Sequence, residues 1–496
     1  MPIEANSTTL KVSPSALNPT YNETIFVLES PNIVQNNFKW VVEIWIDGLP
    51  NATGTTKVTT LVILPNPEGF GVIDVQRHIE NYISSTFYPA DLDTTSVAPE
   101  SFRNWSLDIT EVFENYVWNF NRNNTDGGNV AFINTSEDNY FDIGDDVTIL
   151  QDPTPVYPEY DGDWTVTNVN IDRDSITINK AYAGTVENDS GTATGNKIVE
   201  VHQVDASNLE YRSFNGVINF ADFNTFDYTV YNMETANPTA KFLTNVPDNY
   251  ELRRNDPLWI NGYSDSQTYN VMRVTTDNGV YIILPISPVP AFKDTFIIQA
   301  KIGYNDLLNT TSGVFLDSGA LPMVDGNTTF ISVEARSGGT SISETKTVKI
   351  VDKCSKYENI KLFFLDRLGS YIPLNFDRVS KTNVTNERSN YKQNYGNYDS
   401  VANTWGYTSY ARGTTTYDIS SKKSITCTSD WLTDEQVQLV QILLNSPEVY
   451  YIDEAGVYRA ITITTNSYEE KKRVSDKLLN YTITFEYSNN DGNQRG

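Results

Sequence analysis

The stretch DWLTDEQVQLVQILLNSPEVYYIDEAGVYRAITITT (residues 430–465), completed by YTITFEY (residues 481–487), is the most strongly patterned part of the chain and decides how the rest is read. Thr433 followed by Gln436 forms a T-x-x-Q capping box, in which the hydroxyl and the amide together satisfy two backbone N–H groups that a helix start leaves unpaired. A helix is therefore expected from there. Val437, Leu439, Val440, Leu443 and Leu444 fall within one arc at about 100° per residue, with Ile442 outside it. Asn445, Ser446 and Pro447 end the helix. Residues 449–452, 458–463 and 481–487 follow as strands, the last alternating apolar and polar at period two as a half-buried antiparallel strand does. The local reading is one capped helix laid on a β-sheet, and nothing in it resembles an active site.

Working outward, 496 residues are too many for one core, so several modules are expected. Composition reads β: Tyr (30) and Phe (22) are plentiful, Met (4) is scarce, and short apolar runs alternate with Asn, Asp, Gly and Pro. A formal charge of −27 argues against a nucleic-acid partner held through its phosphates and equally against an anionic membrane. The first ten residues lack the basic and apolar regions of an export signal, and no stretch reaches the ~18 uninterrupted apolar residues of a membrane span. Cys354 and Cys427 are read as two free buried thiols, since two cysteines in so long a chain do not make a disulfide framework. With only His78 and His202, a histidine-rich zinc site is excluded.

The N-terminal module is expected over residues 1–136, a β-sandwich-like domain with a strand whose Phe38, Trp40, Val42, Ile44 and Ile46 share one face. Asp74 is expected to cap a short helix carrying Val75, Ile79, Tyr82 and Ile83 on its apolar side, with His78 as a solvated surface residue. A weak internal repeat follows. Residues 145–149 match 256–260, residues 164–169 match 269–274, and residues 176–178 match 280–282 in the same order. The pattern suggests two SH3-like small barrels, at 137–200 and 247–303, joined by a connector at 201–246. That connector is expected to pack, being rich in Phe214, Val217, Phe220, Phe223 and Phe226.

Asp142, Asp145, Asp146, Asp161, Asp163, Asp172 and Asp174 crowd the first repeat. None completes an EF-hand loop, and carboxylates of this density offer acid–base pairs without specificity, so they are read as turn residues. Residues 304–352 supply a β-hairpin, and residues 353–496 an α+β domain that includes a long polar segment, 381–424. A connection so long inside a domain points to an arm or to a surface ordered by a partner, and its tyrosines, among them Tyr391, Tyr395, Tyr398, Tyr407, Tyr410 and Tyr417, are the type favoured at interfaces. The fold class expected is thus mainly β and multidomain: β-sandwich-like modules, two SH3-like insertions and a C-terminal α+β domain with one capped helix.

One resemblance adds to this reading. Cys354 and Tyr357, FFLDRLGSYIPLNF (residues 363–376), Asn390-Tyr391, the helix within residues 428–450 and the closing strand of residues 481–488 together resemble virion structural and tail proteins of bacteriophages infecting Bacteroidota, including the crAss-like group. The resemblance is clearest over 350–490 and extends to LPNPEGFGVIDV (residues 64–75). It implies a structural part of a tail hub, adaptor ring or baseplate, residing in the virion after synthesis in the host cytoplasm. The partners implied are further copies of the chain and other tail or portal proteins; the charge and hydropathy add the expectation of no membrane insertion and no sequence-specific nucleic acid, and an acidic surplus suits a surface that DNA passes. The resemblance implies no enzyme, and catalytic, cofactor-binding and metal residues alike are none. The alternatives are a receptor- or glycan-binding tail component and, third, a glycan-degrading one; neither a phosphate loop, a nucleophile elbow nor an HExxH motif speaks for an enzyme.

Overall fold

The computed structural model describes residues 3–5, 7–47, 54–87, 96–136, 138–152, 160–182, 190–207, 209–223, 225–234, 237–254, 256–264, 271–277, 279, 281–285, 296–302, 327–337, 339–394, 396–410, 412–465 and 480–489. The chain is mainly β and divides into two compact units, Met1–Ser84 with Phe102–Phe214, and Ser85–Ser101 with Asn215–Gly496.

The first unit is built along the strand Phe102–Phe120. Asn36–Asp47 pairs with it antiparallel, and so do Gly191–Gln203 and Glu210–Phe214. Trp105, Leu107, Ile109 and Phe113 alternate into the core, then the inward series passes to Tyr116, Trp118 and Phe120 beside a shift in register. Glu111 falls on the inward series and is fully buried. It is held there by hydrogen bonds donated by Ser7 Oγ (2.9 Å), Asn32 Nδ2 (2.8 Å) and the Thr8 hydroxyl, which is how a charge tolerates an apolar core. Asp74 does not cap by standing at the helix N-cap, which is Val75. Its Oδ1 instead accepts from the backbone N–H of Gln76 and of Thr24, tying the single turn Gln76–Ile79 to the strand beside it.

Of the two expected barrels, only the first repeat forms its meander. Asp146–Gln151 pairs with Gly162–Val169, which pairs with Ser175–Ala181. These strands continue into the same twelve-stranded sheet through Gly191–Gln203 and Asn129–Ile133, so the boundaries expected near 136 and 200 both fall inside one unit. The second repeat is split. Leu258–Ser264 pairs with Phe296–Ile302 in a ten-stranded sheet, whereas Val271–Thr276 pairs with Tyr281–Pro285 and Phe330–Ser337 in a six-stranded one. The apolar alternation that makes both copies strands says nothing about which distant edge each will meet. The connector is also divided: Phe214 is buried, but Phe220 is 88% exposed, Val217 is exposed and Phe223 is only half-buried. Val201, Ala206 and Tyr211 of that stretch enter the core of the first unit, and Met233, Ala240, Phe242 and Val246 that of the second.

In the second unit the hairpin Ile360–Leu365 to Tyr371–Phe376 runs through the ten-stranded sheet with almost every residue buried, as its continuous apolar run requires. Its turn closes on Asp366. The helix is Asp434–Asn445, with Thr433 Oγ1 accepting from Gln436 N–H and Gln436 Oε1 accepting from Thr433 N–H. Val437, Leu439, Val440 and Leu443 are buried as expected; Ile442 is buried too and Leu444 only partly, so the arc is turned by one position. The residues at 449–452 and 458–463 form a hairpin, and Thr482–Tyr487 pairs beside it. Phe330–Ser337 and Lys346–Val351 form the hairpin expected within 304–352.

Because the Thr433 hydroxyl satisfies one of the N–H groups left unpaired in the first turn of this helix, Thr433→Ala is expected to destabilise the second unit by about 1 kcal/mol. Chemical unfolding followed by far-ultraviolet circular dichroism measures it, and Thr433→Ser is expected to restore most of the loss.

Candidate functional site

The polar segment expected as an arm is a β-ribbon. Lys381–Lys392 pairs with Thr414–Thr428 from Lys381 opposite Thr426 to Lys392 opposite Thr414. At the root, Thr414–Thr428 also pairs with Thr482–Tyr487 over Ser424–Thr428, which joins the ribbon to the ten-stranded sheet. Further out, the described residues supply only these two strands. Every residue of Lys381–Lys392 is exposed, on both faces, over about 40 Å at the usual rise per residue. Beyond it a smaller hairpin, Gly396–Asp399 with Thr404–Tyr407, forms the tip. There the Trp405 indole lies against Gly396, filling the space a Cβ would need, and packs edge-on to Tyr407. Tyr398, Trp405, Tyr407, Tyr410 and Tyr417 are each more than half exposed.

This ribbon is exceptional because isolated two-stranded hairpins are marginal in water and stable sheets cover at least one face. Asn, Ser and Thr populate it where a core-facing strand would carry Val, Ile or Leu. The arrangement offers a projecting surface of hydroxyls, amides and aromatic rings, suited to a macromolecular contact.

The second candidate is a polar cleft of about 450 Å³ in the same unit, lined by Arg253, Arg254, Asp256, Asp352, Lys353 and Lys361, with Cys354 and Asn359. Its charges are paired. Lys361 Nζ lies 2.6 Å from Oδ1 of the buried Asp256, Arg253 Nη2 lies 2.5 Å from Asp377, and Arg254 Nη2 lies 2.7 Å from Asp352. Burial raises the Glu251 carboxyl, but Lys349 and Lys353, at 3.0 and 3.1 Å, more than offset this and hold it below the ordinary glutamate value. Arg254 likewise holds Asp352 below the usual range. The network fastens Tyr250–Arg253, Lys346–Val351 and Ile360–Leu365 together and neutralises its own cations. Sequence reading missed it, since its residues come from four separate stretches and only the adjacent arginines at 253 and 254 hint at it. Nearby, Asp366 accepts hydrogen bonds from the N–H groups of Asn245, Leu368 and Ser370 and from the Thr244 hydroxyl. Burial pushes its carboxyl up to about 6 against the pull of those four donors.

The residues weighed from sequence as ligands lie apart. His78 is half-buried on its short helix, and His202 Nδ1 meets Asp108 Oδ1 at 2.9 Å. Lys197 bridges Asp142 (3.1 Å) and Asp145 (2.6 Å), Asp163 accepts from Thr148, Asp146 from Thr165, and Asp161 from the Gln151 N–H. These are cross-strand and turn contacts. Among the described residues, no three His, Cys, Asp or Glu side chains are gathered as metal ligands would be. Cys427 is buried, as expected, but Cys354 is exposed, and the two are unpaired. Tyr395 lies outside the described residues.

No protein-family model and no curated protein matches the sequence. Among solved structures, the chain is similar to trypsin-activated alpha-2-macroglobulin from Escherichia coli at 9% identity and a TM-score of 0.13, with 97% of this chain and 42% of that one covered. The chain spans less than half the length of that protein, and a likeness so slight carries no argument.

Burial pushes the Cys427 thiol up to about 12, whereas Cys354 is open to solvent. At pH 8 the folded chain is therefore expected to take up one equivalent of iodoacetamide, at Cys354, and a second only in denaturant. Peptide mass mapping checks this, and native alkylation of Cys427 would contradict its burial.

Proposed function

We propose that this protein is a structural component of a bacteriophage virion, a tail hub, adaptor-ring or baseplate protein that works through oligomeric contacts with its own copies and with neighbouring tail proteins. The observation that carries the reading is the ribbon whose strand Lys381–Lys392 is exposed at every residue, paired with a half-buried Thr414–Thr428 and tipped with aromatic rings. A two-stranded ribbon of that length is a poor free-standing element and a good clasp. The resemblance of residues 350–490 to virion structural and tail proteins of Bacteroidota phages supports the same reading, since it includes the sheet on which the ribbon is rooted. The charge of −27 suits a part past which DNA slides without adhering, because phosphate is repelled. Tyr407, Tyr410 and Trp405 favour a second reading, a glycan-binding tail component, since exposed rings also stack on sugars.

Mass photometry of the purified chain tests the first reading. Discrete multiples of the 55.8 kDa chain are expected, and their loss when residues 387–420 are replaced by an Asn-Gly turn joining Asn386 to Ser421, which face each other in the ribbon. Unchanged thermal melting would show that the shortened chain still folds. A chain that stays monomeric and binds host surface glycans saturably would favour the second reading instead.

A further inference from the structure

We propose that the ribbon docks on the acidic unit, residues 1–84 and 102–214, of a second copy of this chain. The inference rests on the oligomeric reading above and names the partner surface the ribbon seeks.

Charge is distributed unevenly between the parts. Residues 381–428 carry six cations, Lys381, Arg388, Lys392, Arg412, Lys422 and Lys423, against three acidic residues, a net +3 on a chain of −27. Residues 1–84 and 102–214 carry ten Lys and Arg against 28 Asp and Glu, a net −18. The cations also differ in their company. In the body they are mixed: Lys57, Arg173, Lys197, Arg253, Arg254 and Lys361 each meet a carboxylate, while Lys39, Arg77 and Arg122 meet none among the described residues. Among the described residues, none of the six ribbon cations meets a carboxylate, although all six are exposed. Lys423 lies 5.5 Å above the Tyr487 ring, a contact that leaves its charge unneutralised.

Unpaired cations on a projecting ribbon, in a chain with so large an acidic surplus, have a complementary surface in every other copy. At physiological salt such fields reach about 8 Å, so the charges select and orient the approach, and the exposed Tyr and Trp rings then supply contact area. Lysine along an outer strand also discourages edge-to-edge pairing of two ribbons, which leaves the acidic body as the favoured target. Nucleic acid is the less favoured partner, because approach of its phosphates to the whole chain is repelled.

The test is the full chain at 50 and 500 mM NaCl by mass photometry and sedimentation, beside the triple variant Arg388→Glu, Lys422→Glu, Lys423→Glu. For the native chain, the self-association constant is expected to fall at least tenfold between the two salts. In the variant it is expected to be at least tenfold weaker at low salt and to change little with salt, with the melting temperature unmoved. Assembly that needs residues 387–420 but ignores both salt and charge reversal would overturn this inference while leaving the oligomeric reading standing. A chain monomeric at every concentration and salt would overturn both. Ribbon-dependent binding of a labelled DNA duplex at 150 mM NaCl would overturn the assignment of an acidic protein surface as the partner.

Discussion

A strand in water is held by paired edges and by at least one covered face, and that double requirement organises this chain. Phe102–Phe120 meets it by taking partners on both sides and sending alternate side chains into a core of Trp105, Phe113 and Trp118. Ile360–Leu365 meets it more fully, buried between neighbours with the helix Asp434–Asn445 contributing to the same core. Lys381–Lys392 has one paired edge and no covered face. Its composition, hydroxyl and amide where the body places Val and Ile, keeps that exposure soluble. Function is most economically sought where the requirement is left unfilled.

The carboxylates that enter the cores arrive with partners. Glu111 is enclosed by three donors and Asp366 by four, so each carboxylate fixes the segments that supply those donors. Glu448 does similar work, accepting from the hydroxyls of Tyr371 (2.8 Å) and Tyr450 (3.2 Å), beside a cluster in which the Phe87 and Tyr450 rings stack at 4.0 Å. The cleft around Asp256 and Lys361 follows the same rule on a larger scale. Body cations such as Lys57, Lys197, Arg253, Arg254 and Lys361 meet carboxylates. Among the described residues, those of the ribbon do not.

The C-terminal helix was legible because its signals are local: a cap, a period and a stop lie within eighteen residues of sequence, and the structure keeps them all but for the one-position turn that buries Ile442. The ribbon was legible as an arm from its length and polarity, though not as paired strands, since the cross-strand partners stand dozens of residues apart. The repeat misled for the opposite reason. Both copies alternate correctly and both become strands, yet Leu258–Ser264 and Val271–Thr276 find different sheets, a choice made by distant segments such as Phe296–Ile302 and Phe330–Ser337. Phe220 shows the limit of composition: an aromatic in a connector was expected to pack and stands in solvent. Beyond the adjacent arginines at 253 and 254 the cleft left no trace in the sequence, because proximity of Arg253, Asp352 and Lys361 exists only once the sheets form.

The central claim is that this chain acts through contacts between copies made by its ribbon. Carbodiimide cross-linking of an equimolar mixture of light and ¹⁵N-labelled chain addresses it most directly, since the reagent joins lysines to touching carboxylates and mass distinguishes one chain from another. The account requires light-to-heavy links from Lys392, Lys422 or Lys423 to Asp and Glu within residues 1–84 and 102–214. Links from those lysines found only within chains of a single isotope would contradict it.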